Sequence, residues 1–367
     1  MGERDRQLQT ATQSWPAHVS FSLTGKWLHR ELIDASTSVG IGRFLQDVSG
    51  PFSSYYLECR LAEGESRVDF LASLTSACVQ AAYDSATVMR RAGGSAPSWT
   101  GVERFLKEWA NPATRLHSEV PMVWLEFDHV HDATSHPPGP SFHMCVERDY
   151  LSRSGGTVAP KEDDGRQREL LATSFDILLG APLPLELSQG LSVCLQAARP
   201  SGRIIHVSAM LARTPVAIKL YGCIPARVFP DYLREIGWPG SFEALSRLMD
   251  EFCSHETIDE MIYFDLAFDE RMTAYAGIVF SQPQLSAASN RDPRRTALLE
   301  RLVGAGLCTP HKRDALSQWP GTARVQYPGS VEVARMHRWL DVKVSLHPNR
   351  PVEAKAYLGF RPAFSLF

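Results

Sequence analysis

The 367-residue chain has no apolar run approaching the roughly 18–20 residues of a membrane-spanning helix, so no span is expected. It also has no excess of either charge: 38 Lys and Arg stand against 41 Asp and Glu, a net charge of -3. Without a basic field, neither nucleic acid nor an anionic membrane is an expected partner. Paired cysteines are missing too. The seven present (Cys59, Cys78, Cys145, Cys194, Cys223, Cys253, Cys308) are scattered and never spaced as CxxC. They read as the reduced thiols of a cytoplasmic protein, not as a disulfide frame or zinc knuckle. The opening Met1-Gly2-Glu3-Arg4-Asp5-Arg6 is charged with no apolar stretch behind it, so no secretory signal is expected, and Arg6 argues against myristoylation. A GxSxG elbow, a Walker loop and an HExxH pair are absent. In Val39-Gly40-Ile41-Gly42-Arg43-Phe44-Leu45 a leucine stands where the third glycine of a dinucleotide turn belongs, and no strand-like run precedes it. That stretch reads as a loop.

What is present is an ordinary globular composition, 44% hydrophobic and 22% charged, with enough apolar material for a large core. At roughly 100–200 residues per domain the length allows two domains or one large one. The order of periodic segments is the informative feature. Strand-like runs come in adjacent pairs: 55–61 with 67–74, 120–129 with 141–149, 203–211 with 216–224, 261–269 with 272–281, and 338–346 with 353–361. Turns such as Glu63-Gly64-Glu65 and His347-Pro348-Asn349-Arg350 join them. Helix-like spacing fills the gaps at 77–91, 102–109, 166–179, 185–198, 229–236, 242–253, 294–307 and 312–319. Trp238-Pro239-Gly240 recurs as Trp319-Pro320-Gly321, a weak internal repeat consistent with one helix–helix–strand–strand unit used several times.

Along these strands one face is apolar, as in Val123/Leu125/Phe127 and Ile262/Phe264/Leu266/Phe268, and must meet the helices. The other face is polar and aromatic: Tyr56, Glu58 and Arg60; Arg67 and Asp69; Trp124, Glu126 and Asp128; His143, Cys145 and Glu147; His206 and Ser208; Lys219 and Tyr221; Tyr263, Asp265 and Tyr275; Trp339, Asp341 and Lys343; Lys355 and Tyr357. So many rings are poor solvent surface. The expected α+β fold is therefore repeated ααββ units forming a ten-stranded antiparallel β-barrel over residues 51–367, helices outside and a ligand-sized lumen within. Residues 1–50 are expected to be an N-terminal extension, partly helical or mobile. The alternative is two α+β domains with open antiparallel sheets. A TIM barrel is disfavoured because its strands alternate singly with helices.

This pattern resembles the ABBA prenyltransferases, whose PT barrel transfers allylic prenyl groups to aromatic acceptors. Three stretches carry the resemblance locally: Arg67-Val68-Asp69-Phe70, similar to a strand with an acid of the magnesium site; and Lys219-Leu220-Tyr221 and Lys355-Ala356-Tyr357, similar to diphosphate-binding K-x-Y strands. The resemblance implies a prenyl diphosphate donor and an aromatic small-molecule or peptide acceptor. Ionising an allylic diphosphate leaves an anion that needs cations, and an allyl cation that needs an aromatic, water-free cage. The expected diphosphate ligands are Lys219, Tyr221, Lys343, Lys355 and Tyr357. The expected cage and acceptor site is Trp124, Tyr263, Tyr275 and Trp339. Glu58 and Glu126 are expected as catalytic carboxylates that take the acceptor's proton. The Arg-x-Lys-x-Tyr run of metal-free family members is absent from the middle strands, so Mg²⁺ held by Asp69, Asp128 and Asp265 is expected to assist. The inward set counts seven acids against five Lys and Arg, which would also suit a barrel that binds or modifies a peptide or other cationic ligand without diphosphate chemistry. His129, His131, His136 and His143 lie close in sequence and offer a third reading, a metal-dependent hydrolase.

Overall fold

The computed structural model describes residues 15–48, 50, 52–80, 82–84, 97–130, 139–148, 150, 164–254, 257–258, 260–281 and 292–363. Ten strands close into an antiparallel barrel: β1 (Ser54–Arg60), β2 (Val68–Thr75), β3 (Met122–Phe127), β4 (Ser141–Cys145), β5 (Arg203–Met210), β6 (Ala217–Pro225), β7 (Met261–Phe268), β8 (Met272–Phe280), β10 (Val333–His347) and β11 (Arg350–Ala363). Each pairs with its neighbour in that order, and β11 returns to β1, with Tyr55 opposite Phe360 and Arg60 opposite Lys355. The strand β9 (Gly321–Gln326) was not expected. It pairs with Val333–Arg338 of β10, on the edge that β8 occupies further along at Val342–Leu346. The run 338–346 therefore begins five residues late, because the first half of β10 alternates polar and apolar outside the barrel.

Helices pack around the wall: α1 (Ala17–Thr24), α2 (Ala35–Asp47), α3 (Pro97–Ala110), α4 (Arg115–Glu119), α5 (Asp164–Leu179), α6 (Leu185–Ala198), α7 (Phe229–Glu235), α8 (Phe242–Phe252), α9 (Pro293–Gly304) and α10 (Pro310–Gln318). Several of their starts carry side-chain caps, as at Ser241, whose Oγ accepts the Ala244 amide, and Thr309, whose Oγ1 accepts that of Lys312. The stretch 39–45 is not a loop. Asp34 caps α2 by accepting the Thr37 amide at 2.7 Å, and Ile41, Phe44 and Leu45 are buried on one face. Those three apolar residues at helical spacing outweigh the two glycines. The helix expected over 77–91 opens with a 3₁₀ turn at Ser76–Cys78 and is helical at 79–80 and 82–84, and its later part falls outside the described residues.

The core lies between barrel and helices. Strand residues Leu57, Phe70, Phe127, Phe142, Phe264 and Phe360 bury their side chains outward against Trp99, Phe105, Phe229 and Trp319. The indole Nε1–H of Trp319 donates to the carbonyl oxygen of Trp339 at 2.9 Å, docking the end of α10 onto β10. From the same helix Lys312 donates through Nζ to the carbonyls of Arg60, Ala62 and Glu65 at 2.9, 2.9 and 2.8 Å. It thus ties down the β1–β2 turn, where Gly64 takes a φ of 72°. Replacing Lys312 with Met leaves those three acceptors without their donor; at about 1–3 kcal/mol for an unsatisfied buried group, urea unfolding is expected to show a loss in that range, and no change in midpoint would show that water takes over the ammonium's role.

Candidate functional site

Alternation puts every second strand residue into a lumen of about 1820 Å³. The large size follows from strand number: about eight strands can be filled by side chains, and ten leave a cavity. The wall is graded. One end carries charge, and the middle carries rings.

In the ring layer, Tyr56 of β1 sits 5.3 Å from Trp124, 5.4 Å from Trp339 and 6.0 Å from Tyr357, the last two edge-on. The Trp339 indole donates to the Tyr56 hydroxyl at 2.7 Å, and that hydroxyl donates to Asp341 at 2.6 Å. A Cβ at Gly359 would lie 2.1 Å from Trp339 Cε2, so only glycine lets the indole lie flat across β11. On the facing wall Tyr221 stacks on Tyr263 at 5.7 Å, with His206 5.7 Å from Tyr221. Burial raises the Tyr56, Tyr221 and Tyr357 phenols well above their usual range and lowers His206 to about 3. These groups are neutral. Tyr275 lies apart from the cage, its hydroxyl donating to Asp265 at 2.8 Å and its ring 5.9 Å from the Lys219 ammonium.

In the charged layer most groups satisfy one another. Lys355 reaches Glu58 at 2.9 Å and Lys343 reaches Asp265 at 3.1 Å. Arg60 holds Asp69 at 2.6 Å and stands 3.5 Å from Glu58. Arg213, from the β5–β6 turn, binds Glu126 at 2.8 Å and Asp128 at 3.0 Å. Burial alone would raise Glu58, but Lys355, Lys343 and Arg60 hold it well below the carboxylate range; His143, Lys219 and Arg213 do the same to Glu126. Both expected catalytic carboxylates are therefore ionised and weakly basic. Lys219 differs. It faces Glu126 and Asp265 electrostatically, yet among the described residues it makes no hydrogen bond and no ion pair, and burial lowers it to about 8. Lys343 links the cations, being near enough to act on both Lys219 and the Lys355 partner Glu58.

The expected acid excess is corrected by the structure. Among the described residues, nine carboxylates line the lumen (Glu58, Glu126, Asp128, Glu147, Asp265, Asp269, Asp292, Asp341, Glu353) against eleven Lys and Arg (Arg60, Arg67, Arg203, Arg213, Lys219, Arg294, Arg295, Lys343, Arg350, Lys355, Arg361). Arg213 and Arg294 enter from turns and helix ends, which strand alternation does not reveal. The expected magnesium ligands do not converge. Asp69 and Asp128 stand at one end of β2 and β3, whereas Asp265 is on β7 across the barrel, and each is engaged by a cation. Among the described residues, no three His, Cys, Asp or Glu side chains gather as a metal site, so these three do not fit a shared Mg²⁺. His131 and His136 lie outside the described residues. His143 is bound to Ser208 and Glu126, and the amide of His129 to Asp69.

No protein-family model and no curated protein sequence matches this chain. Among solved structures, it is similar to the crystal structure of AnaPT from Neosartorya fischeri, with a TM-score of 0.57 at 9% identity, over 98% of this chain and 94% of that one. The fold is the PT barrel. In this PT barrel no helix among the described residues is long and apolar enough to cross a membrane.

The Lys219 environment has a measurable consequence. Because its folded-state proton affinity lies below the unfolded value of 10.5, the unfolded chain binds more protons between about pH 8 and 10.5, so this group makes stability rise with pH over that window. At about 1.4 kcal/mol per pKa unit, discounted for water in the lumen, Lys219→Met is expected to be roughly 2 kcal/mol more stable than wild type at pH 7, with a flatter pH dependence. Urea unfolding at pH 7 and 9.5 checks it; a less stable variant at pH 7 would show the ammonium to be satisfied.

Proposed function

We propose that this PT barrel is a prenyltransferase that moves an allylic group from its diphosphate to an aromatic or peptide side-chain acceptor held in the lumen. The observation that carries the reading is Lys219, an ammonium enclosed beside the ring layer with no anionic partner of its own among the described residues, while Arg60, Arg213, Lys343 and Lys355 in the same layer are paired. A half-buried ammonium on the lumen wall with no ion pair of its own is favoured by an anion that enters beside it. A diphosphate oxygen does so, and Lys343, near enough to act on Lys219, shares the remaining charge.

The same placement orders the chemistry. The C1–O bond of the donor breaks with its electrons on the diphosphate, and fixed cations stabilise that developing charge. The allylic carbon faces Tyr56, Trp124, Trp339, Tyr221 and Tyr263, whose faces attract positive charge and whose protonated phenols are poor nucleophiles. The acceptor stacks among the same rings. Magnesium is a further expected helper, as an ion brought in with the diphosphate. No step here depends on it, since Asp69, Asp128 and Asp265 do not form one site.

Calorimetric titration with dimethylallyl and geranyl thiodiphosphate, with and without Mg²⁺, tests the reading. Wild type is expected to bind, and Lys219→Ala/Lys355→Ala to lose at least about 100-fold, taking ~1.4 kcal/mol for each lost charge contact. An absence of binding under every condition would refute prenyl transfer and leave the barrel intact.

A further inference from the structure

One row of the wall crosses four neighbouring strands. Trp124 on β3 is opposite His143 on β4, His143 is opposite Ser208 on β5, and Ser208 is opposite Lys219 on β6. The row runs from the ring layer to the unpaired ammonium. In its middle, Ser208 Oγ lies 2.7 Å from His143 Nδ1, and His143 Nε2 lies 2.9 Å from Glu126 Oε2. Arg213 holds the other Glu126 oxygen at 2.8 Å. Ser208 and Glu126 are both buried, and Ser208, His143 and Glu126 all line the lumen.

The hydrogen bonds can be assigned from this network. The Glu126 carboxylate stands 2.9 Å from Nε2 at an angle that makes the contact electrostatic and not a hydrogen bond, and its negative charge draws the ring proton to that nitrogen. Nδ1 is then a lone pair, and Ser208 donates its hydroxyl to it. A hydroxyl facing an imidazole whose other nitrogen is held by a carboxylate is the arrangement in which a proton passes to the ring and the carboxylate steadies the imidazolium. Glu126 itself is a poor terminus, since Arg213 hydrogen-bonds one of its oxygens and the neighbouring cations hold it ionised.

We propose that His143, reached through Ser208, is the general base that takes the acceptor's O–H or N–H proton, and that Glu126 is its positioning residue. The inference rests on the prenyl-transfer reading above. As the donor C1–O bond breaks and C1 bonds to the acceptor, the acceptor's O–H or N–H bond gives its electrons to the ring. Its proton goes to Ser208 Oγ, whose own proton moves to Nδ1 of His143. The imidazolium pairs with Glu126 and returns its proton to water after product leaves. Glu126 from β3 and His206 from β5 act on the ring itself, and Arg213 from the following turn and Lys219 from β6 act on Glu126.

The probe reaction is dimethylallyl diphosphate with 2-naphthol, and 2-methoxynaphthalene serves as the proton-free comparison. Wild type is expected to alkylate the naphthol at least tenfold faster than the ether. In His143→Gly, kcat is expected to fall about 100-fold or more while KM for the diphosphate stays within about twofold, and added imidazole is expected to restore at least tenfold. Ser208→Ala should lose activity that Ser208→Thr keeps, which separates loss of the hydroxyl from loss of fold. A His143→Gly enzyme within threefold of wild type, a loss that imidazole does not repair, or equal turnover of naphthol and ether would overturn the relay. Inorganic pyrophosphate titrated into wild type separates the two levels. If it binds but no naphthol is alkylated, the relay is overturned and the donor site stands; if it does not bind, both fall.

Discussion

The pairing of the first barrel strand with the last is the constraint on which the rest depends. Once β1 lies against β11 the sheet has no edge, and its two faces become an outside and an inside. The outside takes the apolar residues and the helices. The inside collects polar side chains from every strand, and they can no longer reach bulk water individually. Partners must come from across the wall: Lys355 meets Glu58, Lys343 meets Asp265 and Tyr56 meets Asp341, pairs separated by 297, 78 and 285 positions in the chain. Opening the barrel between β1 and β11 would break the two that cross that seam, Lys355–Glu58 and Tyr56–Asp341.

This confinement makes the electrostatics legible as function. Mutual pairing of buried charges contributes little net stability, because each ion has been taken from water. It does decide which group is left over. Several cations hold Glu58 and Glu126 ionised, whereas Lys219 has no hydrogen bond or ion pair among the described residues. The adjacent rings supply the complementary half, a surface that tolerates positive charge and keeps out water.

The likeness to AnaPT at 9% identity shows how little sequence this architecture needs. The binary alternation of each strand and the helical spacing between pairs are satisfied by many side chains, so the fold survives when the lumen is rewritten. Function has to be argued from the residues inside, and here the row Trp124–His143–Ser208–Lys219 is the part with its own chemical logic.

The fold was readable from the sequence because its determinants are local. Period two in ten runs, period 3.6 between pairs and turn residues such as Gly64 each act over a few neighbours, and they placed Glu58, Trp124, Lys219, Lys343 and Tyr357 on the inward face. Local patterns failed where a local signal was ambiguous: two glycines concealed the α2 helix, and β9 is too short and polar to announce itself. What tertiary structure alone decided is which inward residues touch. Arg213 reaches the lumen from a turn, Asp265 lies on β7 across the barrel from Asp69 and Asp128, and His143 is drawn from a run of histidines into contact with Ser208, 65 positions later. The physical reason is that alternation sets a side chain's face, whereas partners across a closed wall depend on strand order and register, which are properties of the whole barrel.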